Sequence, residues 1–203
     1  MPVNKKIGIM GGTFNPIHNG HLILAESAYE QFHLDTVVFL PSGNPPHKAD
    51  ISYIDSQHRC NMVELAIKDN SHFEMSLEEV LRPGITYTSD TLLTMKSNDP
   101  YGELFFIIGA DSLYTFETWH EPDVICRQCT ILVATREGHD SADVEEKIEE
   151  LRNRFEADIF RIVSPDFDIS SRLVRERIIS ERSIRYFVPR PVEEYIREHG
   201  LYA

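Results

Sequence analysis

At 203 residues with 41% apolar side chains, the chain is long enough to bury a core and too apolar for disorder. Its formal net charge of -13 argues against a general nucleic-acid surface, and no run approaches the length of a membrane span. Residues 1–6 lack the apolar centre of a secretory leader, and the cysteines (Cys60, Cys126, Cys129) are few and odd in number, which together predict a reducing cytoplasm. Cys126 and Cys129 form a C-x-x-C without the second pair a structural zinc needs, so they read as small buried residues and no metal ligands are expected.

In chain order, residues 7–10 are an apolar run that reads as a buried first strand, and residues 22–32 read as a helix. Between them lies Gly11-Gly12-Thr13-Phe14-Asn15-Pro16-Ile17-His18-Asn19-Gly20-His21. Gly11 and Gly12 let the backbone approach a ligand, and Pro16 stiffens the turn. His18 and His21 are three apart, so on a helix they share a face. A helix start offers unpaired N–H groups and partial positive charge, and two imidazoles there make a donor cluster for a polyphosphate. The stretch is neither a G-x-G-x-x-G fingerprint nor a P-loop.

Residues 36–40 read as the second strand, ending in the rigid loop 41–48, Pro-Ser-Gly-Asn-Pro-Pro-His-Lys. Residues 57–67 read as a helix with Met62, Leu65 and Ala66 inward; the direction of Arg59 stays open. Residues 73–75 form a short strand candidate. Thr86-Tyr87-Thr88-Ser89-Asp90-Thr91-Leu92 opens a helix to about Met95, with Thr86 or Thr88 as its expected cap. Residues 103–108 are a buried strand ending at Gly109-Ala110-Asp111, where Asp111 can accept from ribose hydroxyls or cap the next helix. Trp119 is the single tryptophan. Residues 130–134 form the next strand with Arg136 at its exit, 143–155 an amphipathic helix, and 160–163 the last strand. Ser170 and Ser171 then stand at a helix start, suited to capping it and to binding phosphate, and Arg175 can reach the same anion. The last helix, 191–199, has Pro at its start and Gly200 just past its end. Alternating strands and helices predict one α/β domain over 1–203, a doubly wound parallel sheet with helices on both faces. Such sheets bind ligands at the carboxyl ends of their strands.

The first glycine-histidine stretch resembles the GGTFDPIHxGH signature of the HxGH nucleotidyltransferases, with Asn15 in place of the usual Asp. Residues 168–175 resemble the family's second motif, ISSTxxR, with Arg172 in place of Thr. Pro45-Pro46-His47-Lys48 and Thr86 to Leu92 resemble PPHK and TYTxDTL of the nicotinate mononucleotide adenylyltransferase branch, and Arg136 resembles the Arg of RPG, with Glu137 replacing its Pro. The resemblance implies a Rossmann-like fold and transfer of AMP from ATP to nicotinate mononucleotide, with Mg²⁺ on the leaving pyrophosphate. It implies His18, His21 and Arg175 as catalytic residues. Gly11, Gly12, Thr13, Phe14, Gly109, Asp111, Ser170 and Ser171 would bind ATP. Asn44, His47, Lys48, Thr86, Trp119 and Arg136 would bind the pyridine nucleotide, with Trp119 stacked on the ring. Two kinds of alternative stand beside this reading. One is a nicotinamide mononucleotide or pantetheine-phosphate adenylyltransferase of the same superfamily; the other is a non-catalytic nucleotide sensor. A homo-oligomer is left open.

Overall fold

The six predicted strands are neighbours in one sheet of the computed structural model, which describes residues 4–44, 54–134, 141–165 and 168–203. They are β1 (Lys6–Gly12), β2 (Thr36–Pro41), β3 (Phe73–Met75), β4 (Glu103–Gly109), β5 (Thr130–Ala134) and β6 (Ile159–Ile162). The order is β3-β2-β1-β4-β5-β6, and every adjacent pair is parallel. The chain winds outward from β1 through β2 and β3, then returns to lay β4 on the other side of β1. A crevice therefore opens between the carboxyl ends of β1 and β4, where connections leave in opposite directions.

The helices are α1 (Asn19–Phe32), α2 (Ser56–Ile67), α3 (Glu78–Leu81), α4 (Thr88–Asn98), α5 (Ala110–Thr115), α6 (Pro122–Gln128), α7 (Ser141–Phe155), α8 (Ser171–Ile179) and α9 (Arg190–Glu198). Side chains alternate between the faces of a strand, so each strand feeds two cores. On one face Met10, Phe39 and Ile107 pack with Ala25 of α1, Met62 of α2, Val174 of α8 and Val192 of α9. On the other, Ile9, Phe106 and Ile131 pack with Leu92 of α4, Leu113 of α5, Ile125 of α6 and Ile148 of α7. Burying each of the larger of these side chains contributes about 1.5–3 kcal/mol. These continuous apolar runs are what a sheet covered on both faces requires, and they bear out the predicted doubly wound architecture.

Several boundaries move. Helix α1 starts at Asn19, three residues before the sequence pattern suggests, because His18 already serves as its N-cap. Neither Thr86 nor Thr88 caps α4; Tyr87 holds the cap position, with no side-chain cap bond. Cys126 and Cys129 are buried as predicted, and burial pushes the Cys126 thiol up to about 11 and Cys129 higher still. Both are inert thiols at neutral pH. Among the described residues no helix is long and apolar enough to cross a membrane.

Candidate active site

The loop after β1 is built so that its two imidazoles meet. Phe14 takes a left-handed φ of 48°, a cis peptide joins Asn15 to Pro16, and the chain then enters α1. The backbone N–H of His18 donates to Nδ1 of His21 at 3.2 Å. The rings stack with centroids 3.7 Å apart, and Phe14 meets His21 edge-on at 5.1 Å. Because Nδ1 of His21 accepts, the neutral ring carries its proton on Nε2. Burial lowers the His18 pKa to about 4. Burial, then the neighbouring His18, holds His21 well below the ordinary imidazole value. At neutral pH the free protein therefore presents two uncharged imidazoles, as hydrogen-bond donors and not as cations.

The loop is held from behind, where most of its carbonyls are occupied. Arg59 of α2 is almost fully buried and settles the question its sequence position left open. Its Nη1 donates to Thr13 O at 2.7 Å and its Nη2 to Ser42 O at 2.9 Å, tying the end of β1 to the end of β2. Arg175 Nη1 donates to Asn15 O at 2.7 Å, and Ser171 Oγ donates to Pro16 O at 2.8 Å. The Tyr202 hydroxyl donates to Asn15 Oδ1 at 2.9 Å. Ser170 caps α8 as expected, accepting from Leu173 N at 3.1 Å.

Two adjoining cavities open at the carboxyl edge of the sheet. The larger, about 620 Å³, is lined by His18, His21, Gly109, Asp111, Ser170 and Ser171. The smaller, about 250 Å³, is lined by Gly12, Thr13, Ser42, Thr86, Tyr87 and His120. Gly11, Phe106, Ser112 and Trp119 line both and form the shared wall. Trp119 is fixed by Phe116 and Phe106, at ring distances of 5.5 and 6.1 Å. The far side of the smaller cavity is α3, which docks closely on the loop after β2. A Cβ on Gly43 would lie 2.1 Å from the Glu79 carbonyl oxygen, so only glycine fits there. Glu79 itself is buried, accepts from Thr91 Oγ1 at 3.0 Å, and is raised by that burial.

Most predicted site residues converge here. Phe14 instead fills the core against His21, and Arg175 supports the loop from behind. The backbone of Asn44 receives the Thr86 N–H at 3.2 Å, while the Asn44 side chain is exposed. His47, Lys48 and Arg136 lie outside the described residues. Gly11 and Gly12 face aromatic rings: an added Cβ would come within 3.3 Å of Phe106 and 3.2 Å of Phe14, respectively. The sequence reading missed Glu79, His120 and Tyr202. Only Tyr202 had a local signal, the Gly200 turn just before it.

A family model described as Cytidylyltransferase-like matches residues 9–177. A Lachnoclostridium phytofermentans protein named "Probable nicotinate-nucleotide adenylyltransferase" is 47% identical over 198 residues, covering 98% of this chain and 99% of that protein. A Bacillus pumilus protein of the same name is 41% identical over 198 residues, covering 98% of each. The solved structure of Plasmodium falciparum nicotinic acid mononucleotide adenylyltransferase complexed with NaAD has a TM-score of 0.80 at 23% identity, covering 98% of both chains, a likeness of fold. Glycine loop, stacked histidines and serine-capped α8 thus sit on the fold and among the relatives that their motifs imply, and the chain belongs to the cytidylyltransferase-like family, in its nicotinate-nucleotide adenylyltransferase group.

Proposed function

We infer that the protein transfers AMP from ATP to nicotinate mononucleotide, releasing pyrophosphate and nicotinate adenine dinucleotide. The observation that carries this is the pair of adjoining cavities with the histidine pair in the larger one and Gly11 and Trp119 in their common wall. ATP occupies the larger cavity, and the pyridine mononucleotide the smaller, with an aromatic face of Trp119 available to the ring. A phosphate oxygen of the mononucleotide attacks the α-phosphorus of ATP, and the bond from that phosphorus to the β-phosphate oxygen breaks. The attacking group is already an anion at neutral pH, so no general base is needed. The work left to the protein is alignment and stabilisation of developing charge.

His21 donates through Nε2–H, with His18 stacked beside it. Ser170, Ser171 and the amino end of α8 face the polyphosphate, and Arg175 carries further N–H donors besides the one on Asn15 O. Asp111, in the wall of the larger cavity, accepts from ribose hydroxyls in this reading. Magnesium would be the counter-ion of the ATP phosphates. Among the described residues no three His, Cys, Asp or Glu side chains converge on a metal position; an ion bound with ATP would be held chiefly by the phosphates and would neutralise charge on the leaving pyrophosphate. His47, Lys48 and Arg136 belong to the substrate side of this reading on their motifs alone. The reading places one nucleotidyltransferase domain over 1–203, in the cytoplasm.

Pyrophosphate release measured with ATP, Mg²⁺ and each candidate acceptor tests the assignment. Turnover is expected to be fastest with nicotinate mononucleotide and slower with the amide or with phosphopantetheine. Equal or better turnover with the amide would reassign the acceptor and leave the fold untouched; no release with any acceptor would favour a nucleotide sensor. In the same assay Asn15→Asp is expected to leave kcat nearly unchanged, because a carboxylate oxygen accepts from Tyr202 as the amide oxygen does. A several-fold change would mean that charge at this position acts on the reaction.

A further inference from the structure

We propose that Tyr202 is a positioning residue for adenylyl transfer, acting through Asn15 on the two imidazoles. The inference rests on the reading of the site given above. At the end of α9 the chain turns back on itself. Gly200 takes φ 58°, its N–H donates to Arg197 O at 3.3 Å, and Leu201 N–H donates to Ile196 O at 3.0 Å. That pair of bonds with a left-handed glycine is a Schellman ending, which turns the chain sharply back on the helix. Leu201 is thereby buried in the core below α2 and α9, and Tyr202, at φ 66°, brings its hydroxyl to Asn15 Oδ1. The hydroxyl lies in a site dry enough to push its pKa well above the ordinary phenol value, against the opposing pull of Arg175 and Arg59. It therefore stays a donor throughout the working pH range.

Asn15 is held at both ends: its side chain by Tyr202, its carbonyl by Arg175. The next residues transmit that constraint with little slack. Pro16 has a fixed φ and its carbonyl is taken by Ser171; Ile17 is fully buried; His18 then offers the N–H that fixes His21 Nδ1. Asn15 is itself almost completely buried, so no water replaces the lost hydroxyl at low cost. Removing the Tyr202 donor frees the Asn15 side chain to turn, and the tilt reaches the stacked rings three residues on.

Tyr202→Phe deletes the hydroxyl and keeps the ring. It is expected to lower kcat about ten-fold, the effect of losing one buried hydrogen bond. KM for both substrates should stay near wild type, and Tm should fall by a few degrees at most, the cost of leaving the Asn15 oxygen unpaired. The effect should vanish in an Asn15→Ala background, so that the double variant is no slower than Asn15→Ala alone. The ring C–H resonances of His18 and His21 in the free protein give a readout that needs no turnover, and both should shift in Tyr202→Phe. An unchanged kcat, unmoved imidazole resonances, or losses that multiply in the double variant would each overturn the proposal. An inactive wild-type protein would instead overturn the reading of the reaction, and the resonances would still decide the role of Tyr202.

Discussion

His21→Ala is expected to lower kcat by about 10²–10³ while ATP affinity changes little, the usual result of removing one donor aimed at charge that develops in the transition state. The geometry gives this a specific basis. His21 Nδ1 is already committed to the His18 N–H, so a single N–H, on Nε2, remains for the substrate. The ring is neutral before ATP binds, so its contribution to ground-state affinity is that of a neutral donor. Charge on the bridging oxygen and the departing pyrophosphate grows as the bond breaks, and the donor gains strength at that moment. Alanine also removes the ring from its contacts with His18 and Phe14, so thermal unfolding must be measured on the same preparation. A folded His21→Ala protein with near-normal turnover would take His21 out of the catalytic set.

Arg59→Met is expected to be the most destabilising single change around the site. Two hydrogen bonds from a charged donor disappear, and methionine offers nothing in their place. At about 1.5–3 kcal/mol for each such bond, the loss is about 3–6 kcal/mol. For a chain of this size that lowers Tm by roughly 10 °C. The end of β1 and the end of β2 separate together, so both cavities lose definition and KM rises for both substrates. Arg59→Lys should rescue little, because an ammonium cannot fork between Thr13 O and Ser42 O as a guanidinium does. Calorimetric unfolding checks this; a Tm within two degrees of wild type would show that the two carbonyls find other donors.

Strands β1, β2, β4 and β5 were legible because each carries an apolar run between turn signals, β3 and β6 are shorter and interrupted by Glu74 and Arg161, and the crevice followed from the alternation of strands with helices. The histidine pair was legible because its partners are neighbours in sequence: three residues separate the His18 N–H from the ring that accepts it. Arg59 was not. A single arginine in α2 looks the same in sequence whether it points to water or inward, and its two acceptors are carbonyls 46 and 17 residues away. The cap of α4 was misplaced for a related reason. Thr86 and Thr88 are both good capping residues, but the Thr86 backbone is drawn to Asn44 O and the helix begins one residue after Tyr87. Tyr202 lay beyond reach too: Gly200 announced a turn, and nothing in the sequence told where that turn would deliver the next side chains. Short α3 has too few residues to show a period, though Gly43 records how tightly it docks.

The loop that carries the histidines is held by residues synthesised long after it. His18 and His21 leave the ribosome early, whereas Ser171, Arg175 and Tyr202 follow about 150 or more residues later, roughly 10–30 s at about 5–20 residues per second. Through that interval the glycine-histidine stretch has its Arg59 contact at Thr13 but lacks the bonds at Asn15 and Pro16, and β4, which forms the other lip of the crevice, is itself missing for the first half. A nascent or prematurely ended chain thus displays the motif by which the family is recognised without the hydrogen bonds that shape it. Those bonds reach Asn15 and Pro16 only after the segments carrying Ser171, Arg175 and Tyr202 have been made.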